Sequence, residues 1–218
     1  MKITSDMKDV LYTAVLSDVL DEFGHCEQAL RPFVRPTDDD LTFVGRARTG
    51  LYTKTYSVAA GENPYELEIK LLDDLRPGEV PVFACDGPTD RLAPWGELLT
   101  TAAMARGAVG CVTDGLVRDV RKIRELKFPV FHGGIGPLDS RGRGRMIEMD
   151  TPIQCGGVAV RTGDIVFGDV DGVVVVPREI EDKVFRRALE KIKSENNTRD
   201  ELRQGRLLGE VYEKYGVL

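Results

Sequence analysis

The sequence predicts a single α/β domain, and three observations carry that prediction. Stretches with helical spacing alternate along the chain with short apolar stretches that read as strands, the pattern of helices laid against a sheet. At 218 residues the chain can bury one good core and would be cramped with two. The run Gly172-Val173-Val174-Val175-Val176-Pro177 is β-branched on both faces, so it is expected to be a central strand covered on both sides.

From Asp6 to Phe23, Val10, Leu11, Val15, Val19, Leu20 and Phe23 recur at helical spacing, and Gly24 closes the run. Leu41 to Thr53 alternates like a strand, with Gly45 marking a bulge or a close approach. A helix over Asn63 to Leu72 follows, then a turn at Arg76 to Glu79 and a buried strand from Val80 to Cys85. Gly96 opens a small-residue helix that ends near Arg106. Ala108 to Thr113 reads as a buried strand, Val120 to Leu126 as a short helix and Phe128 to His132 as another strand. Ile147 to Val160 and Asp164 to Val176 supply further strands with tight glycine turns. A helix begins near Arg178 with the stripe Ile180, Val184, Ala188 and Ile192. Beyond Asn196, Leu207, Leu208, Val211 and Tyr212 are the apolar anchors of a second helix, expected to pack on a neighbour such as another subunit. Residues 1–218 therefore read as one domain with a C-terminal helical tail from about residue 178.

Composition excludes several classes. Thirty basic and 36 acidic residues give a net charge of −6, spread along the chain, which argues against a nucleic-acid surface. The one basic cluster, Arg141 to Arg145, is short and glycine-spaced, and reads as a solvated loop before a phosphate clamp. No apolar run approaches the roughly 18 residues of a membrane helix, and the N-terminal stretch is too polar for a signal peptide. Cys26, Cys85, Cys111 and Cys155 form no CxxC pair, so reduced thiols in a cytoplasmic protein are expected. Only His25 and His132 are present, which rules out a multi-histidine zinc site. There is no GxSxG elbow and no Walker lysine after Gly133-Gly134-Ile135-Gly136. Lys54, Lys70, Lys122 and Lys127 lack the apolar setting that a Schiff-base lysine needs.

The segment from Trp95 to Asp119 concentrates the chemistry. A helix N-terminus offers unpaired N–H donors, and Gly96 lets a ligand approach the backbone, so the amides of Leu98 and Leu99 suit an anion. The plainer alternative is a strand-to-helix turn in which Glu97 favours the helix dipole. Asp114-Gly115 and Arg118-Asp119 follow a buried strand, at the end where α/β ligands collect. Arg118 can clamp a carboxylate and Asp119 can ligate a hard cation. The alternative there is a surface ion pair, with Asp119 capping the helix that starts at Val120.

These residues resemble the RraA-like family, which includes 4-hydroxy-4-methyl-2-oxoglutarate aldolases and regulators of ribonuclease activity. The resemblance runs through Leu16-Ser17-Asp18-Val19-Leu20-Asp21, Gly45-Arg46-Ala47, Trp95-Gly96-Glu97-Leu98-Leu99 and Asp114 to Asp119. It continues through Cys155-Gly156-Gly157-Val158, Gly163-Asp164 and Asp169 to Pro177, covering nearly the whole chain. It implies a layered β/β/α swivelling domain of the phosphohistidine type with C-terminal helices. It also implies a homotrimer or dimer of trimers, with the active site between subunits. The implied activity is lysis of 2-oxo acids to pyruvate with Mg²⁺ or Mn²⁺, with oxaloacetate decarboxylation beside it. Carried over, Asp119 is the metal ligand and Arg118 binds the substrate. Gly96, Leu98 and Leu99 hold the pyruvate moiety. Glu97, where some aldolases have aspartate, reaches the metal through water, as does Glu195 from a neighbouring subunit. Two alternatives stand beside this: a non-catalytic regulator docked on a ribonuclease, and a lyase or hydratase for another hydroxy acid.

Overall fold

The structure, a computed structural model, describes residues 5–216, with side chains from residue 7. The first residues of the polar N-terminal stretch, about which the signal-peptide expectation was made, lie outside the described residues. The helices are α1 (Thr13–Glu22), α2 (Glu66–Asp73), α3 (Glu97–Ala105), α4 (Val120–Leu126), α5 (Glu181–Arg203) and α6 (Leu208–Tyr215). The strands are β1 (Arg35–Pro36), β2 (Phe43–Lys54), β3 (Glu79–Ala84), β4 (Cys111–Thr113), β5 (Leu116–Val117) and β6 (Val130–His132). They continue with β7 (Gly134–Ile135), β8 (Gly144–Met149), β9 (Ile153–Cys155), β10 (Val158–Val160), β11 (Ile165–Asp169) and β12 (Gly172–Val176).

The main sheet has the order β1-β6-β4-β3-β2-β11-β12. Strand β2 is its pivot: Phe43 to Arg46 pair antiparallel with β11, Arg46 to Leu51 pair parallel with β3, and Gly50 to Lys54 pair antiparallel with β8. Strands β9 and β10 form a separate hairpin, and β5 pairs parallel with β7.

Side-chain alternation sorts the core into layers, because successive strand residues face opposite sides. Phe43, Val82, Val112, Phe131, Val166 and Val175 point to one face, where the β9–β10 hairpin covers them with Ile153, Cys155, Val158 and Val160. Their neighbours Phe83, Cys111 and Val130 turn to the other face and pack under α2, α3 and α4. On that second face Val44, Ile165, Phe167 and Val174 lie under α1 and α5. The result is the hairpin–sheet–helix layering that the resemblance implied.

Several elements depart from their sequence-based expectation. The expected N-terminal helix is a 3-10 turn at Ser5–Asp9 followed by α1, with Val10 half exposed between them. A distant carboxylate sets the break: Asp169 on β11 accepts from the Thr13 amide at 2.8 Å and from its hydroxyl at 2.7 Å. Strand β12 is buried on both faces, as expected, yet it ends the ladder instead of standing at its centre. Its open edge is covered by backbone, with Leu30 N–H bonded to Val173 O and Val175 N–H to Gln28 O, both at 2.9 Å. Gly45 is a close approach and not a bulge, since a Cβ there would stand 2.6 Å from Gly78 O. The bulge lies at Leu51/Tyr52, opposite β8. The C-terminal stripe of Val184, Ala188 and Ile192 packs on the chain's own α1 and sheet. Helix α5 runs past Asn196 to Arg203, and α6 lies against it through Val211, leaving Leu207, Leu208 and Tyr212 exposed. Among the described residues no helix is long and apolar enough to cross a membrane.

Candidate active site

The site begins with how α3 starts. Trp95 is fully buried, and its indole N–H donates to Thr100 Oγ1 at 2.8 Å. The Thr100 hydroxyl and amide both reach back to Gly96 O, at 3.0 and 3.1 Å. The first intrahelical bond is thus fixed at Thr100, and the amides of Leu98 and Leu99 lie ahead of it in the open first turn.

The second half of the site is brought alongside by β5. Trp95 bridges Val117 in parallel, and Arg118 N–H donates to Trp95 O at 3.0 Å. Asp119 follows in the left-handed region, with φ 57°, an uncommon conformation for a residue with a side chain. It occupies the N-cap position of α4 but makes no side-chain cap hydrogen bond. Its Oδ2 instead accepts from the Glu97 amide at the start of α3, at 3.3 Å. The capping alternative is therefore overturned: the carboxylate serves a different helix from the one it precedes. Gly96 makes room for it, since a Cβ there would stand 2.8 Å from Asp119 Oδ2 and 3.1 Å from Arg118 Cγ.

Arg118 lies between two carboxylates, 3.8 Å from Asp119 Oδ2 and 3.8 Å from Asp139 Oδ1. Both distances exceed hydrogen-bond range, so the guanidinium keeps its donors for a ligand. Asp139 in turn accepts from the Tyr65 hydroxyl at 2.7 Å. Burial opposes ionisation of Asp139, but the Tyr65 bond, backbone amides and the Arg118 charge together lower its pKa. Burial and the Asp139 carboxylate push Tyr65 up to about 12.

These groups line one cavity of about 320 Å³. Of the residues singled out from sequence, Gly96, Leu98, Leu99, Arg118 and Asp119 meet there. Glu97 contributes its amide, while its carboxylate accepts from the Thr101 hydroxyl on its own helix at 3.0 Å. Glu195 lines another cavity, between α1 and α5, where it accepts from Tyr12. Asp114 does not line this cavity; it is buried and holds the amides of Cys85, Gly87 and Gly156 at 2.6, 3.2 and 3.2 Å. His132 is buried away from the site, and burial holds its pKa down to about 4, so the ring is neutral. Sequence reasoning missed Glu68, Tyr65 and Asp139 in the cavity wall. Glu68 left a legible signal, since it stands in register with Leu71 and Leu72 on the apolar stripe of α2.

The carboxylates can accommodate a divalent cation only in part. Among the described residues, no three His, Cys, Asp or Glu side chains converge on one point. Asp119 accepts a single long hydrogen bond, and its half-exposed carboxylate keeps lone pairs for a metal. One carboxylate with water and substrate completing the shell suits Mg²⁺ or Mn²⁺, which hold on to several waters.

The family model for RraA-like proteins, described as Aldolase/RraA, matches residues 13–175. The chain belongs to the RraA-like family. A Halalkalibacterium halodurans protein, named provisionally as a 4-hydroxy-4-methyl-2-oxoglutarate aldolase, is 35% identical over 179 residues, 82% of this chain and 79% of that one. A Thermus thermophilus protein named 4-hydroxy-4-methyl-2-oxoglutarate aldolase is 31% identical over 136 residues, 62% of this chain and 80% of that one. The crystal structure of Streptomyces coelicolor RraAS2, described as an unusual member of the RNase ES inhibitor RraA family, superposes with a TM-score of 0.78. It shares 24% identity and covers 91% of this chain and 98% of that one, so it supports the RraA-like fold.

Proposed function

We propose that the cavity at the start of α3 is the active site of a divalent-metal-dependent lyase. It would cleave 4-hydroxy-4-methyl-2-oxoglutarate-type acids to pyruvate and decarboxylate oxaloacetate. The observation that carries this reading is the carboxylate of Asp119, which leaves its own helix uncapped and sits beside the open first turn of α3. The names of the relatives support the aldolase part of this reading.

In this reading Asp119 holds Mg²⁺ or Mn²⁺, with Glu97 reaching it through water once its side chain leaves Thr101. The bound cation would supply Lewis-acid stabilisation of the enolate formed when a bond beside the 2-oxo group breaks. The amides of Leu98 and Leu99 hold the pyruvate carboxylate with the positive end of the helix dipole behind them. Arg118 places a fixed positive charge where negative charge develops, an effect worth about 3 kcal/mol in comparable sites. Tyr65 and Asp139 hold Arg118 in place from the far side. A homotrimer or a dimer of trimers would bring Glu195 to a neighbouring subunit's cavity.

The test couples pyruvate release to lactate dehydrogenase, with oxaloacetate and with 4-hydroxy-4-methyl-2-oxoglutarate, in Mg²⁺ and in EDTA, against enzyme-free controls. Metal-dependent pyruvate from both substrates supports the reading. No pyruvate from either overturns it and turns attention to another hydroxy acid or to binding of a ribonuclease.

A further inference from the structure

Glu68 lies in the wall of this cavity, and none of the roles assigned above uses it. Its side chain projects from α2 and the residue is only 7% exposed. Oε2 accepts from the Tyr52 hydroxyl at 2.5 Å, whereas Oε1 makes no hydrogen bond among the described residues. The groups that face it are Tyr52 from β2, Arg118 after β5, Asp139 after β7, Tyr65 before α2 and Cys85 after β3. Tyr52 and Cys85 are fully buried with pKa values pushed well up, so neither ionises near neutrality. Tyr65 is likewise held protonated, Asp139 is held ionised and Arg118 is permanently charged. Glu68 differs from all of them: burial raises it to about 7, against the opposing pull of the Tyr52 bond and the Arg118 charge. A 2-oxo dicarboxylate entering the cavity adds negative charge and favours the protonated acid further.

Resting on the lyase reading, we propose that Glu68 is the proton donor of this cavity, delivering its proton to the carbon left as an enolate when the substrate's C–C bond breaks. When a 4-hydroxy-2-oxo acid is cleaved, the hydroxyl proton passes to water in the cavity, C4 becomes a carbonyl and the C3–C4 electron pair passes into the enolate of pyruvate. The Glu68 O–H bond then breaks, the proton joins C3 as the methyl group forms, and the electron pair stays on the carboxylate. The proton lost from the hydroxyl, or one from solvent, restores the acid. With oxaloacetate, CO₂ leaves in place of the second carbonyl product, and the same proton delivery completes the turnover. The direction can be reversed: the carboxylate form removes a methyl proton from pyruvate, which makes exchange with solvent measurable without any cleavage.

The experiment follows exchange of the pyruvate methyl protons in D₂O by NMR in the presence of Mg²⁺. Oxalate binding is measured in parallel by calorimetry, since oxalate copies the enolate. Glu68→Gln keeps an acceptor for Tyr52 and should bind oxalate as the unaltered chain does, while exchange falls about 100-fold or more. Tyr52→Phe removes a hydrogen bond that favours the carboxylate, so the pH inflection of exchange should move upward. Unchanged exchange in Glu68→Gln, or an unmoved inflection in Tyr52→Phe, overturns the assignment while leaving the lyase reading intact. Loss of oxalate binding together with exchange in Glu68→Gln assigns the residue a structural role and overturns it too. An unaltered chain that neither binds oxalate nor exchanges pyruvate overturns both readings together.

Discussion

Adding one methyl group at Gly96 is expected to disable the site while leaving the fold in place. A Cβ at this position would stand 2.8 Å from Asp119 Oδ2, 3.1 Å from Arg118 Cγ and 3.2 Å from Arg118 Nε. Ordinary contact begins at 3.4 Å, so the carboxylate must retreat by about 0.6 Å (3.4 − 2.8) and the arginine by about 0.3 Å (3.4 − 3.1). The backbone itself is unstrained by alanine, because φ −156° and ψ −171° are extended values open to any residue. Stability should therefore drop only by the weaker N-cap, about 0.5–1 kcal/mol. A misplacement of about 1 Å costs about 100-fold in a positioned site, which puts the loss in kcat/KM at about 10- to 100-fold. Mg²⁺-dependent pyruvate release measures the loss, thermal unfolding confirms the fold, and Mn²⁺ titration by electron paramagnetic resonance reads Asp119 directly. A folded Gly96→Ala protein with undiminished turnover and unchanged Mn²⁺ affinity would refute the placement of Asp119 and Arg118 against α3.

Asp119→Ala is expected to abolish metal-dependent turnover, and Asp119→Gly to raise the melting temperature by relieving the left-handed backbone; calorimetry and the coupled assay read the two effects separately. Arg118→Ala should lower kcat/KM about 100-fold and barely change stability, because its 3.8 Å ion pairs are partly exposed and contribute under about 1 kcal/mol. For Glu68 the folded pKa of about 7 lies above the ordinary 4.5, so folding favours the proton-bound form. That stability is fully present below pH 4.5 and lost as pH rises through 7, by up to about 3 kcal/mol; Glu68→Gln should flatten this part of the unfolding curve. Gly45→Ala meets Gly78 O, Val109 and Val80 within 2.7 Å and should cost about 1–3 kcal/mol in urea unfolding.

What the sequence determined by itself was local. The spacing of apolar residues placed α4 at Val120–Leu126 and located β2, β3 and α3 to within a few residues, because a buried stripe must follow the period of its own element. The valine run of β12 announced burial on both faces. The proximity of Gly96 and Arg118-Asp119 was also legible, since one helix and one strand return the chain to the same end of the sheet. Tertiary structure decided everything that depends on a partner far along the chain. Spacing could not start α1 at Thr13, because the carboxylate that caps it is Asp169, 156 residues away. Nor could it put β12 at the end of the ladder, where the backbone of Gln28 to Leu30 closes its edge. Asp119 is the sharpest case: its sequence position is that of a helix cap, and only the arrival of α3 gives its carboxylate a different amide to hold. Glu68 shows the same limit from the other side. Its place on an apolar stripe was visible, but the raised pKa follows from burial and the nearby Asp139 carboxylate, which outweigh the Tyr52 bond and the Arg118 charge, and only the packed structure assembles these groups.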